Sequence, residues 1–305
     1  MHIHGSTAGP RLWISLGITL AFVIGEAIAG YIGNSLALLS DAGHNASDAL
    51  ALGLAAYAVW VANKPADRKK TYGYHRVSIL SAFANAVTLI VIGILILVEA
   101  FEFFRNPHAV NGNLMMWVAG VSVLMNTIIA WMLSNHAKSS LNMRATFIHM
   151  AGDALSALAV VIAGLVVKQT GWLYADPVVS TLIAIFILYS SWGIVKDSTN
   201  ILLESSPKGL DIEEMVRRMR LVPNVKNVHD LHVWTVSDGM NYLSCHVAVT
   251  EDQSMKECCD LINNLNALLA KEFGIAHATI QTEIEGMCIA EAERPLFCDE
   301  STPSR

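Results

Sequence analysis

The chain has 305 residues, 53% of them hydrophobic and only 15% charged. Its mean hydropathy of +0.45 is too apolar for an ordinary soluble protein. The net charge of −6 gives no reason to expect a nucleic-acid partner. The charge is unevenly spread: residues 1–206 carry 11 basic and 10 acidic side chains, residues 207–305 carry 9 and 16.

Six apolar segments predict membrane-spanning helices, near 12–33, 36–62, 77–101, 114–135, 145–167 and 177–195. Each has roughly the 20 residues that a bilayer core requires. The first run is too long for a cleavable signal peptide and has no small-residue cleavage site. The loop after the second span holds Lys64, Arg68, Lys69, Lys70 and Arg76, and the loop after the fourth adds Lys138 and Arg144. The opposite loops hold only Arg105 and Lys168. Positive residues favour the cytoplasmic side, so both termini are expected there, and an even number of spans agrees.

Two of these spans carry the same pair of ionisable residues. The second contains His44-Asn45-Ala46-Ser47-Asp48 and the fifth contains His149-Met150-Ala151-Gly152-Asp153. A spacing of four puts both side chains of a pair on one helix face. Ionisable side chains in a membrane are costly and mark ion or proton pathways. Two imidazoles and two carboxylates complete a four-coordinate shell, a geometry zinc favours. The reading is a membrane metal-ion transporter. Asp41, three residues before His44, is expected to orient a ligand or to sit at a helix end. Glu26 and Asn126 are expected to make helix–helix hydrogen bonds. The scattered methionines fit packing better than a copper pathway.

After Pro207 the pattern changes to a water-soluble domain. Ile212, Met215, Val216 and Met219 mark a helix face. Val225 to Val236 and Met240 to Thr250 read as strands joined across Ser237-Asp238-Gly239. Residues 255–273 return to helical spacing, and His277 to Ile284 reads as a last strand. The order α-β-β-α-β predicts a small α+β domain with helices on one sheet face. Strand alternation sets Asp230, His232 and Trp234 on one face and turns His246 away from Cys245. His232 and His246 as cross-strand neighbours, with His277 and Glu283 on the third strand, form a second candidate metal site. All five cysteines follow residue 207. In the cytosol they stay reduced, and the adjacent Cys258 and Cys259 point about 100° apart on a helix, poor joint ligands. No His-Glu-x-x-His motif supports a membrane metallohydrolase. A passive metal channel or a membrane metal sensor would use the same ligands as a transporter.

Several of these segments together resemble the cation diffusion facilitators. They are Asn34 to His44 followed by Asp48, Tyr72-Gly73-Tyr74-His75-Arg76, His149-x-x-x-Asp153 and Asp230-Leu231-His232-Val233-Trp234. The resemblance covers nearly the whole chain, and its branch is that of bacterial zinc exporters and animal zinc transporters. It implies a homodimer in the bilayer, in a bacterial inner membrane. Each subunit would have a six-span domain (1–206) and a metallochaperone-like cytoplasmic domain with a tail (207–305). It implies exchange of cytoplasmic zinc for protons by alternating access, not enzymatic turnover. By motif the transport site is His44, Asp48, His149 and Asp153, and zinc is substrate. Zinc is also implied as a structural or regulatory ion at His232, His246, His277 and Glu283. The branch adds paired tail cysteines and an N-terminal His/Cys motif. Here Cys288 and Cys298 are too far apart for C-x-x-C, and His2 and His4 come without a cysteine. Asp67 and His75 lie where some bacterial members hold a loop metal, with an incomplete ligand set.

Overall fold

The computed structural model describes residues 10–134, 141–237, 239–249 and 253–284. Six long helices come first: α1 (Pro10–Gly33), α2 (Leu36–Ala62), α3 (Val77–Arg105), α4 (Gly112–Ser134), α5 (Leu141–Thr170) and α6 (Ala175–Leu202). Then follow α7 (Ile212–Arg220), β1 (Val225–Ser237), β2 (Met240–Val249), α8 (Met255–Phe273) and β3 (Ile275–Ile284). This is the predicted order. α6 runs beyond its apolar stretch, and β3 starts two residues earlier than its pattern suggests. The chain falls into two compact units, residues 1–60 with 81–196 and residues 61–80 with 197–305.

In the first unit, four helices are long and apolar enough to cross a membrane among the described residues: Val77–Arg105, Gly112–Trp131, Met150–Thr170 and Ala175–Leu202. The core of this unit includes Leu38, Leu89, Met115, Val160 and Ile187. Large apolar side chains also face outward, among them Leu95, Trp117, Trp131 and Tyr189. An apolar exterior over an apolar interior is the signature of helices solvated by lipid. α4 and α5 approach closely through glycines. A Cβ on Gly164 would meet the Met115 Cβ at 2.8 Å, and one on Gly112 would meet the Gly164 carbonyl at 2.5 Å. Small residues at such crossings let backbones touch where no hydrophobic force drives helices together.

Asp176, in the first turn of α6, clamps the start of α2. Its carboxylate accepts hydrogen bonds from Ser35 Oγ (2.6 Å), the Leu36 amide (2.7 Å) and the Ala37 amide (3.2 Å). A helix N-terminus exposes unpaired amides and a partial positive charge, so a carboxylate is a good partner. Here it comes from another helix, fully buried. It fixes the helix that carries His44 and Asp48.

The second unit contains a three-stranded sheet in the order β1-β2-β3, antiparallel between β1 and β2 and parallel between β2 and β3. The parallel pair needs a crossover, which α8 supplies. α8 opens with a capping box between Ser254 and Glu257 and ends on Gly274 at φ 66°. Met215, Met219, Leu261, Leu265 and Leu269 of α7 and α8 pack with Leu231, Leu243, Cys245 and Val247 of the sheet.

Asp176→Ala should lower the thermal midpoint of the detergent-solubilised protein more than Ser254→Ala. The first leaves three donors without their acceptor, on the order of 3 kcal/mol or more; the second loses one exposed cap, about 1 kcal/mol. Thermal unfolding of the two variants beside wild type gives the ranking.

Candidate metal centres

Asp48 and Asp153 each lie twelve residues into their helices, α2 and α5. The two helices bring the motifs together. His44 Nε2 lies 3.1 Å from Asp153 Oδ1 and 3.8 Å from Asp48 Oδ2. One ligand atom from each of His44, Asp48 and Asp153 lies within 4.8 Å of the others. His44 and Asp153 are buried and Asp48 is partly exposed. His149 stands on α5 one turn before Asp153, and its side chain lies outside the described residues. Around the cluster, Asp41 accepts a hydrogen bond from Ser122 Oγ of α4 (3.4 Å), and Ser47 donates to Asn85 Oδ1 of α3 (3.2 Å).

The C-terminal unit has a second cluster, and it differs from the sequence expectation. His229, His246 and Glu283 offer ligand atoms within 4.8 Å of one another. Glu283 Oε1 is 2.9 Å from His246 Nδ1, and Oε2 is 3.3 Å from His229 Nε2. Both nitrogens are buried, yet neither is angled to make a hydrogen bond. Both lie beside the two oxygens of the Glu283 carboxylate. Asp230 Oδ2 stands 3.5 Å from His246 Nε2 on the other side of that ring, where it can hold the tautomer that leaves Nδ1 free to ligate. Two imidazoles and a carboxylate are a ligand set that suits zinc.

His229 escaped the sequence reading because of a β-bulge. Near the hairpin turn the pairs are Trp234↔Tyr242 and His232↔Ser244; beyond it they are His229↔His246 and Val228↔Val247. One extra residue sits between the two registers, with Asp230 at φ 50°, a conformation that Asp tolerates better than most residues. An unbroken ladder would set Asp230 opposite His246. The bulge instead brings His229 there, with ring centroids 5.4 Å apart. The structure does not bring His232 or His277 to this cluster. His232 is exposed, 3.5 Å from Asp230 Oδ1. The His277 ring lies 5.1 Å from that of Tyr242 and 6.4 Å from that of Tyr72. His2, His4, Cys288 and Cys298 lie outside the described residues. In the α2–α3 loop, Asp67 is engaged by Tyr74 Oη and the amides of Lys69 and Lys70, bonds that hold its carboxyl below the usual carboxylate range.

Residues 12–203 match the cation efflux transmembrane domain, and residues 207–285 match the cytoplasmic domain of cation efflux proteins. The chain belongs to the cation efflux family. This is a family of transporters, not enzymes, and its members are integral membrane proteins. The "zinc transporter ZitB" of Escherichia coli (strain K12) is 40% identical over 93% of this chain and 90% of that protein. The "cadmium, cobalt and zinc/H(+)-K(+) antiporter" of Bacillus subtilis (strain 168) is 36% identical over 93% and 92%. A solved structure, the "metal-bound C-terminal domain of the CzcD transporter" of Cupriavidus metallidurans, is 34% identical. It covers 24% of this chain and 99% of that one, with a TM-score of 0.22.

The C-terminal geometry ranks its residues. With the membrane site disabled by Asp153→Ala, His229→Ala should weaken zinc binding more than about 100-fold, and Asp230→Ala by about 10–100-fold, the scale seen for partners that orient a ligand. His232→Ala should change it little. Titration against a competing chelator measures all three. Cys245 is buried on β2, and desolvation, then the charge of Asp230, pushes its thiol up to about 12. At pH 8 its thiolate fraction is then on the order of 10⁻⁴. Iodoacetamide should label exposed Cys259 in the native protein and leave Cys245 unmodified until denaturant is added, as read by mass spectrometry.

Proposed function

We propose that this cation efflux protein exports zinc from the cytoplasm in exchange for protons. The observation that carries the reading is the convergence of His44 and Asp48 from α2 with Asp153 from α5, inside an apolar bundle. By the repeated His-x-x-x-Asp motif, His149, one turn before Asp153 on α5, would supply the fourth ligand. Zinc on two neutral imidazoles and two carboxylates is charge-balanced, so it can enter a low-dielectric interior at tolerable cost. An all-oxygen octahedral shell, which magnesium favours, is not what these residues offer. The names of the relatives, which include zinc, cadmium and cobalt, support this substrate class.

Coupling follows from ligand chemistry. Metal binds the deprotonated forms, so zinc and protons compete for the same side chains. Imidazole, with a reference pKa of about 6.5, is sensitive to pH in the physiological range. Zinc displaces protons where the site opens to the neutral cytoplasm, and protons displace zinc where it opens to a more acidic exterior. The basic loops after the second and fourth spans support cytoplasmic termini. The working form is a homodimer in the bacterial inner membrane. In the C-terminal unit, His229, His246 and Glu283 would hold a resident zinc ion that ties three strands together, as a structural or regulatory ion.

The test is zinc uptake into inside-out vesicles or proteoliposomes, with and without an imposed proton gradient. Flux should follow the gradient. Asp48→Ala or Asp153→Ala should reduce flux on the order of 100-fold, since each removes a ligand whose charge balances the ion in a low-dielectric interior, while the protein still elutes as the wild type does. Gradient-independent flux would indicate a passive channel, and no flux in wild type would indicate a sensor.

A further inference from the structure

Glu26 of α1 and Asp41 of α2 are both 1% exposed, and the metal site uses neither. Glu26 Oε2 accepts a hydrogen bond from Asn45 Nδ2 at 3.0 Å. Glu26 Oε1 is also buried, and no N–H or O–H of the described residues donates to it. It belongs to a carboxyl within hydrogen-bonding reach of the Asp41 carboxyl. Asp41 Oδ2 in turn accepts from Ser122 Oγ. The charged groups that act on Asp41 are Glu26 from α1, His44 on its own helix and Asp153 from α5. No lysine or arginine occurs in α2 or α4; α1 has Arg11, and α5 has Arg144 and Lys168, each well along its helix from this level.

Two buried carboxylates within hydrogen-bonding reach of each other, with no lysine or arginine on α2 or α4, repel each other in a medium that solvates neither. A single proton changes the interaction. It makes one carboxyl a donor and the other an acceptor, and it gives Glu26 Oε1 the partner that a buried oxygen requires. We propose that Glu26 and Asp41 form a proton-holding site between α1 and α2, distinct from the metal ligands. The proposal rests on the proton-exchange reading above and adds a place for a proton that is not a shared ligand position. Its coupling to the metal is electrostatic. Asp41 lies one turn before His44 on α2, so a dication held by His44 and its partners favours the ionised pair. Zinc entering the site expels the proton to water on the side then open. Zinc leaving lets the pair take one up from the other side.

Glu26→Gln separates this role from helix bracing. The amide still accepts from Asn45 and can donate to Asp41, so the packing bonds survive while the titrating group is gone. The full-length purified protein is titrated with zinc in weakly buffered detergent solution containing a pH indicator. E26Q should release about one proton fewer per zinc bound than wild type. In infrared difference spectra, the protonated-carboxyl C=O band that zinc bleaches in wild type should be absent from E26Q. Equal proton release with the band retained would overturn the proposal. Should E26Q fail to fold, Asp41→Asn asks the same question, with the same two outcomes. Both measurements are made without a gradient. A one-proton loss in E26Q, alongside wild-type flux that ignores an imposed gradient, would sink the antiport reading and leave the proton site standing.

Discussion

An ionisable side chain inside an apolar helix bundle has to be answered from within the bundle. Lipid offers no hydrogen bonds, and an unpaired buried charge is costly. Several polar side chains that meet α2 follow this constraint across helices. Asp176 of α6 holds the start of α2, His44 of α2 meets Asp153 of α5, Ser47 of α2 reaches Asn85 of α3, and Asn45 of α2 reaches Glu26 of α1. α2 is the common member of all these pairs. It is the helix on which the other helices' polar groups converge, and so the natural place for a site whose occupant must exchange its partners.

The same donor types recur in the C-terminal unit on a different support. In the membrane, helical repetition places ligands: a spacing of four, used twice. In the sheet, the bulge between His229 and His232 re-aims one histidine, and the parallel β3 delivers Glu283 from a distant part of the chain. Helical ligands can separate when helices tilt, whereas the strand ligands are tied to one another through the central strand, β2, which pairs with both β1 and β3. That difference suits a transient occupant in one place and a resident ion in the other.

What the sequence revealed followed this division. The His-x-x-x-Asp repeats were legible because a helix preserves its period over many turns. The α-β-β-α-β order was legible from periodicity and the turn at residues 237–239. His229 was not, because a bulge changes which residues share a face without changing composition. The one visible clue is an Asp at the bulged position, among the residues that tolerate a left-handed backbone. His277 looked like a ligand by its place on a strand, but it packs against Tyr242. Asp176 gave no signal either: a single acidic residue at the start of a span looks interfacial until the amides of α2 are seen on it. Glu26 was readable as a helix-bracing residue, but its nearness to Asp41 depends on how α1 and α2 pack.

The Asp176 clamp has a mechanical consequence. Three hydrogen bonds join one carboxylate to the first turn of α2, so that end of α2 cannot slide or unwind without dragging α6. A rod pinned at one end moves by pivoting, and its displacement grows with distance from the pin. His44 and Asp48 lie in its first half, close to the fulcrum, so a small swing reorients their ligand atoms with little translation. Rearrangement of this bundle would then turn the metal-binding face toward one opening or the other while the ion itself stays near one depth.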